Sequence, residues 1–143
     1  MKRRLTLLFI EFIVILGIAV NSAAQQVKLH GVVSVQNSKI NTGRTQYVKG
    51  AEVEHVNLKN AKTGDVTGDD GKFTLDIQGV QPNSQTRISV ILHGNYADYV
   101  VVNEKEIKDI TLGRVLPVGV YICKKGELEE RRAEMALIRC ENG

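Results

Sequence analysis

From residue 27 onward, apolar side chains recur at every second position in short runs broken by Gly, Asn, Asp and Pro. Successive side chains of a strand point to opposite faces, so runs of this kind build half-buried strands rather than helices. Residues 27–35 put Val27, Leu29, Val33 and Val35 on one face and Lys28, His30 and Ser34 on the other. Gly31 in their middle predicts a bulge or a close neighbour. Residues 51–58 form a second strand whose apolar phase slips between Val53 and Val56, as a bulge would make it do. Phe73, Leu75 and Ile77 then alternate with Lys72, Thr74 and Asp76, and Ile88, Val90 and Leu92 repeat the pattern. Residues 96–102 are rich in strand formers, 107–120 read as two or three short strands interrupted at Pro117, and 121–123 close the last one. About seven strands without helical patterning between them indicate an all-β chain, an antiparallel sandwich.

The connections have their own chemistry. Residues 36–49 are polar and aperiodic and read as a long loop; 60–64 and 93–95 are turns, and 78–85, with Pro82, form another loop. Asp70-Gly71 signals a hairpin, because a type I′ turn needs positive φ at both central residues. The tail differs. Residues 127–138 favour helix, with Glu127 and Arg131 spaced as an i,i+4 ion pair. Ala133, Ala136, Leu137 and Cys140 make a small-residue stripe, with Leu128, Met135 and Ile138 on another side. One face docks on the sheets; the other reads as a frayed surface helix or as a contact site for another protein.

The N-terminus carries a targeting pattern. Lys2, Arg3 and Arg4 precede an apolar run over residues 5–20, broken only by Glu11, and Ser22-Ala23-Ala24 fits a signal-peptidase site before Gln25. The run is shorter than the roughly 20 residues of a stable membrane span, and a central carboxylate opposes permanent anchoring. Cleavage after Ala24 is expected, with an uncleaved anchor as the alternative; no Cys follows the small residues to take a lipid. The expected organisation is a signal peptide with its helix over 1–24, one sandwich domain over 25–123 and a charged helical tail over 124–143. Removing Lys2, Arg3, Arg4 and Glu11 leaves 16 basic and 15 acidic residues, a near-neutral domain with no basic patch to seek nucleic acid. Membrane contact is expected only through the signal segment if it stays uncleaved. Cys123 and Cys140 would be separated by the length of the tail helix, which opposes an internal disulfide.

Three stretches taken in order, His30-Gly31-Val32-Val33, Gly50-Ala51-Glu52-Val53 and Thr67-Gly68-Asp69-Asp70-Gly71-Lys72-Phe73-Thr74-Leu75, resemble the carboxypeptidase regulatory-like domain of exported bacterial proteins. The likeness spans residues 27–112. It implies a transthyretin-like (prealbumin-type) seven-stranded antiparallel Greek-key β-sandwich in which Gly31, Gly50, Val53, Thr67, Asp70, Gly71, Phe73 and Leu75 are structural motif residues. Gly71 would supply a positive φ, and Phe73 would fill the core beneath the hairpin. Such domains stand at the N-termini of exported proteins, including outer-membrane TonB-dependent transporters, and beside metallocarboxypeptidase domains, so the resemblance implies binding, spacing or folding support and no catalytic residue. Two features depart from the pattern: the length of loop 36–49 and the charged helix after Gly126.

An enzyme would need a nucleophile, a general base or a metal. His30, His55 and His93 lie in no motif with a Ser, Cys or acidic partner, and a histidine on an exposed strand face is ordinarily surface. A purine-pathway hydrolase shares the transthyretin-like fold, but its C-terminal Tyr-Arg-Gly-Ser is replaced here by Cys140-Glu141-Asn142-Gly143. Asp65, Thr67, Asp69 and Asp76 loosely echo a calcium loop, yet Asp70 stands where an EF-hand requires Gly, and solvated acids explain them better. No cofactor or metal is expected. The expected function is a non-enzymatic module of the bacterial envelope (periplasm, outer membrane or cell surface of a Gram-negative-type bacterium) that contacts protein or glycan through sheet edges, loops or the tail helix. The alternatives are a spacer or plug-like accessory domain of a transport assembly, and a truncated part of a larger exported protein.

Overall fold

The computed structural model describes residues 26–37, 44–56, 62–81, 83–114 and 116–143. The leader and its cleavage site, Pro82, and parts of the expected segments 36–49, 51–58, 60–64 and 107–120 lie outside them. Strand β1 (Gln26–Val35) buries Val27, Leu29 and Val33 and exposes Lys28 and His30, as its alternation requires. Three partners surround it. β5 (Lys72–Gln78) runs antiparallel to it from Gln26↔Gln78 to Val32↔Lys72. Beyond that point the two-residue strand β2 (Gln46–Tyr47) takes over, inside what reads in sequence as loop. Val33 N–H donates to Gly71 O at 2.8 Å while Val33 O accepts from Val48 N–H at 3.0 Å. One strand residue aims both groups at one edge, so β5 and β2 follow each other along the same side of β1.

The other side of β1 takes β10 (Val118–Lys124), and the pairing is parallel, from Gly31↔Val118 to Val35↔Ile122. This corrects the wholly antiparallel sheet expected from the strand pattern. Strand alternation is the same in both orientations, and only the long excursion of chain between β1 and β10 makes a parallel return possible. β8 (Tyr99–Val101) closes this sheet antiparallel to β10. A second sheet orders β4 (Lys62–Val66), β3 (Glu52–Val56) and β7 (Ile88–Ile91), all antiparallel. A two-strand ribbon pairs β6 (Gln85–Thr86) with β9 (Ile110–Thr111). Val27, Leu29, Phe73, Leu75 and Val120 from the first sheet share one core cluster with Val53 and Ile88 from the second. Ile107, Ile110 and Leu112 belong to the same cluster.

Three further expectations are corrected. β3 has no bulge: its register with β4 and β7 is unbroken, because His55 takes the inward position that a polar residue seemed to vacate. Residues 62–66, which carry no apolar alternation, are nevertheless a strand. The Asp70-Gly71 turn is not a hairpin, since β4 lies in one sheet and β5 in the other. Its central residues Asp69 and Asp70 do not have positive φ, and among the described non-glycine residues Asn83 is the one that does. The turn closes through Gly71 N–H to Gly68 O at 2.9 Å, with Gly71 at φ 69°, and carries the chain around a corner between sheets.

After β8 comes a single helical turn, α1 (Glu104–Ile107), in the stretch between the expected strands that the sequence pattern leaves unassigned, apart from Ile107. Asn103 explains why the chain can leave the sheet there. Its side chain accepts from Tyr121 N–H at 3.0 Å and donates to Gly119 O at 2.8 Å, so an amide continues the ladder in place of backbone. The tail forms a 3-10 turn over Lys125–Glu127 and then α2 (Leu128–Asn142). Its Glu127–Arg131 pair forms, at 3.4 Å, and Arg131 also meets Glu134 at 3.1 Å. No helix of the described residues is long and apolar enough to cross a membrane.

Candidate functional site

The motif residues divide between a knot and a core contact. Thr67 is buried at the corner between sheets: its hydroxyl donates to Val48 O at 2.6 Å and accepts from Ala51 N–H at 2.9 Å. Its backbone N–H donates to Ala51 O and its carbonyl accepts from Gly50 N–H, both at 3.0 Å. Asp70 accepts from Lys72 N–H at 3.1 Å and so shapes the turn. A Cβ on Gly71 would lie 2.3 Å from Val33 O, so no other residue fits there without displacing the β1–β5 ladder. Gly31 and Phe73 face each other in register, and a Cβ on Gly31 would lie 2.1 Å from the Phe73 ring. The close neighbour expected at Gly31 is therefore that ring, which covers the bare backbone. Val53 and Leu75 are fully buried in the same core.

The polar candidates are spread over separate places. His30 meets Thr74 Oγ1 at 3.1 Å on an exposed face, and His93 meets Glu52 at 3.2 Å. His55, expected at the surface, is instead buried, with its Nε2 2.5 Å from Thr86 Oγ1; burial holds its pKa below the ordinary imidazole value. Asp65, the first acid of the calcium-like pattern, spends its carboxylate on Val66 N–H and Thr74 N–H, both at 2.8 Å. Asp69 pairs with Lys49 at 2.9 Å. Among the described residues no three His, Cys, Asp or Glu side chains stand close enough to hold a metal.

A different feature offers room for a ligand. Among the described residues β7 pairs with β3 alone and β8 with β10 alone, so each keeps an outer edge without a ladder partner. Both edges wall one groove of about 570 Å³, with Ile107 and Leu128 among its lining and Glu104, Lys108 and Arg132 also contributing. Neither Ile88-Ser89-Val90-Ile91 nor Tyr99-Val100-Val101 contains a charge or a proline, the usual protections of an edge strand. Ile91, 41% exposed, adds apolar surface. Glu104, Lys108 and Arg132 also line a second groove of about 460 Å³ between α1 and α2, which continues past Lys105, Glu106 and Arg139. No protein-family model, curated protein or solved structure matches this chain.

Alternation marks 88–92 and strand-favouring composition marks 96–102 as strands, but which strands end a sheet depends on pairing and is not written in a run of side chains. Residues 88–92 carry no charge, whereas 96–102 include Asp98, which falls just before the first residue of β8. On the far side of the first sheet, Cys123 is buried where α2 packs on β10, with Arg131 alongside lining the same polar cavity. Burial first, and then the nearby Glu127, push the Cys123 thiol above its ordinary pKa, against the opposing Arg131 and Arg132. This thiol is a packing group. Cys140 is exposed on the last turn of α2.

Proposed function

We propose that this chain is exported by its first 24 residues and serves the bacterial cell envelope as a non-enzymatic binding module, built on the sandwich of the carboxypeptidase regulatory-like domain. In this reading it takes up a strand of another protein in the groove between β7 and β8. The observation that carries the reading is the pair of uncharged strand edges facing one groove. An edge offers a row of N–H and C=O groups, and an extended segment added there satisfies them through main-chain hydrogen bonds. The sandwich is supported by the shared core of the two sheets, and the family by the corner and core roles of Thr67, Gly71, Gly31 and Phe73. Among the described residues the His55–Thr86 pair does not line the groove, and His30 and His93 lie elsewhere.

The test is a photo-crosslinking amino acid placed in cells at Ser89, at Val100, and at the exposed control position Lys28. Adducts of one size at both groove positions and not at Lys28 are expected. Adducts at neither groove position, or equally at all three, count against the binding role. Export is checked separately by N-terminal sequencing of the envelope fraction, where Gln25 is the expected first residue; a full-length cytoplasmic product would overturn it.

A further inference from the structure

We infer that the segment received by the β7–β8 groove is an apolar extended strand flanked by acidic residues; the inference rests on the strand-binding reading above and names the chemistry of its partner. β7 has 4 residues, about 13 Å of strand, and with β8 it presents only uncharged side chains. A partner strand that carried charge along this stretch would have to desolvate it against Ile88, Val90 and Val101, and neither β7 nor β8 carries a charge to pair it. The selection for charge comes where this groove runs into the one between α1 and α2. Its lining there holds the cations Lys105, Lys108, Arg132 and Arg139 against the carboxylates Glu104 and Glu106.

Two of those cations are neutralised locally: Lys108 pairs with Glu104 at 2.7 Å, and Arg139 pairs with Glu106. Arg132 reaches only Glu129, at 3.5 Å, and the Glu129 side chain is 89% exposed, so that contact exchanges readily for another carboxylate. Lys105 has no ion-pair partner among the described residues. An entering segment therefore meets an apolar trough that ends on Lys105 and on Arg132, which is held only by the exposed Glu129, an arrangement complementary to an apolar strand that ends in Asp or Glu. A basic end would meet like charge.

The experiment uses the full mature chain and labelled peptides that share a core of alternating Val and Thr with Asp, Ser or Lys pairs at both ends. Fluorescence anisotropy is read at low and at high salt. The Asp peptide is expected to bind roughly tenfold more tightly than the Ser peptide at low salt, and the Lys peptide more weakly than either. That advantage should vanish at high salt. It should also vanish in a Lys105→Ala, Arg132→Ala variant, whose affinities for the Asp and Ser peptides should become equal. N-methylation at alternate residues of the Asp peptide should abolish binding, because it removes strand donors and leaves charge intact. Equal binding of all three peptides overturns the acidic preference and leaves strand addition standing. Binding of none of them, or binding only of an acidic polysaccharide such as alginate, overturns both.

Discussion

Thr67 shows how one hydroxyl can hold a corner. Replacing it with valine keeps the volume and strands both Val48 O and Ala51 N–H in a buried place. Such losses cost about 1–3 kcal/mol, so Thr67→Val should lower the urea midpoint with little change in slope, while Thr67→Ser keeps most of the stability. Gly31 acts through absence, because its missing side chain is the space in which the Phe73 ring lies. Gly31→Ala should cost about 1–3 kcal/mol by overpacking, and adding Phe73→Leu should cost less than the two single effects summed. His55 makes the fold sensitive to acid. Burial depresses its folded pKa below 6.5, so on acidification the unfolded chain takes up the proton first. Its neutral form is tolerated at no cost above pH 6.5, and stability falls as pH drops from 6.5 towards the lower folded value. A His55→Gln chain should lose visibly less stability than wild type between neutral pH and about pH 5, measured by denaturant titration at each pH.

Among elements, α2 is the one whose attachment the composition of the tail describes poorly. It docks not by its small-residue stripe but by the opposite side, where Arg131 is 7% exposed and its carbonyl accepts from Gln36 Nε2 at 3.4 Å. Burial works against the Arg131 charge, and Glu134, Glu127 and Glu130 more than restore it, so its pKa moves up. Ala133, Ala136, Leu137 and Cys140 remain exposed on the free side. Cys123 reports whether the helix is seated. With a thiol-specific reagent Cys140 should react at once and Cys123 slowly, and Arg131→Ala should speed the slow phase several-fold by loosening the helix. An unchanged slow rate would show that α2 does not cover that thiol. The one-turn α1 was hidden from sequence reading for a related reason. Its start is set by Asn103 bonding to β10, some 16 positions away at Gly119 O, and no local pattern announces such a bond.

In the whole molecule the decisive feature is the parallel pairing of β1 with β10, the first and last described strands. That closure makes the first sheet depend on chain ends far apart in sequence, so a product ending at residue 117 should lose cooperative unfolding altogether rather than keep a smaller stable sheet. Far-ultraviolet circular dichroism during thermal unfolding distinguishes the two results. The alternation of Val27, Leu29, Phe73, Leu75 and Ile77 was sufficient to foretell which of these side chains are buried, because a strand's two faces are local geometry. Helical propensity and the Glu127–Arg131 spacing likewise foretold the tail helix. Pairing was beyond that reach: the orientation of β10, the passage of Asp69-Asp70 between two sheets, the burial of His55 and the free edges of β7 and β8 all follow from contacts between distant segments. A side chain's alternation is inherited from its neighbours in the chain, whereas an edge exists only where no second strand arrives, and that is decided by the packing of the whole.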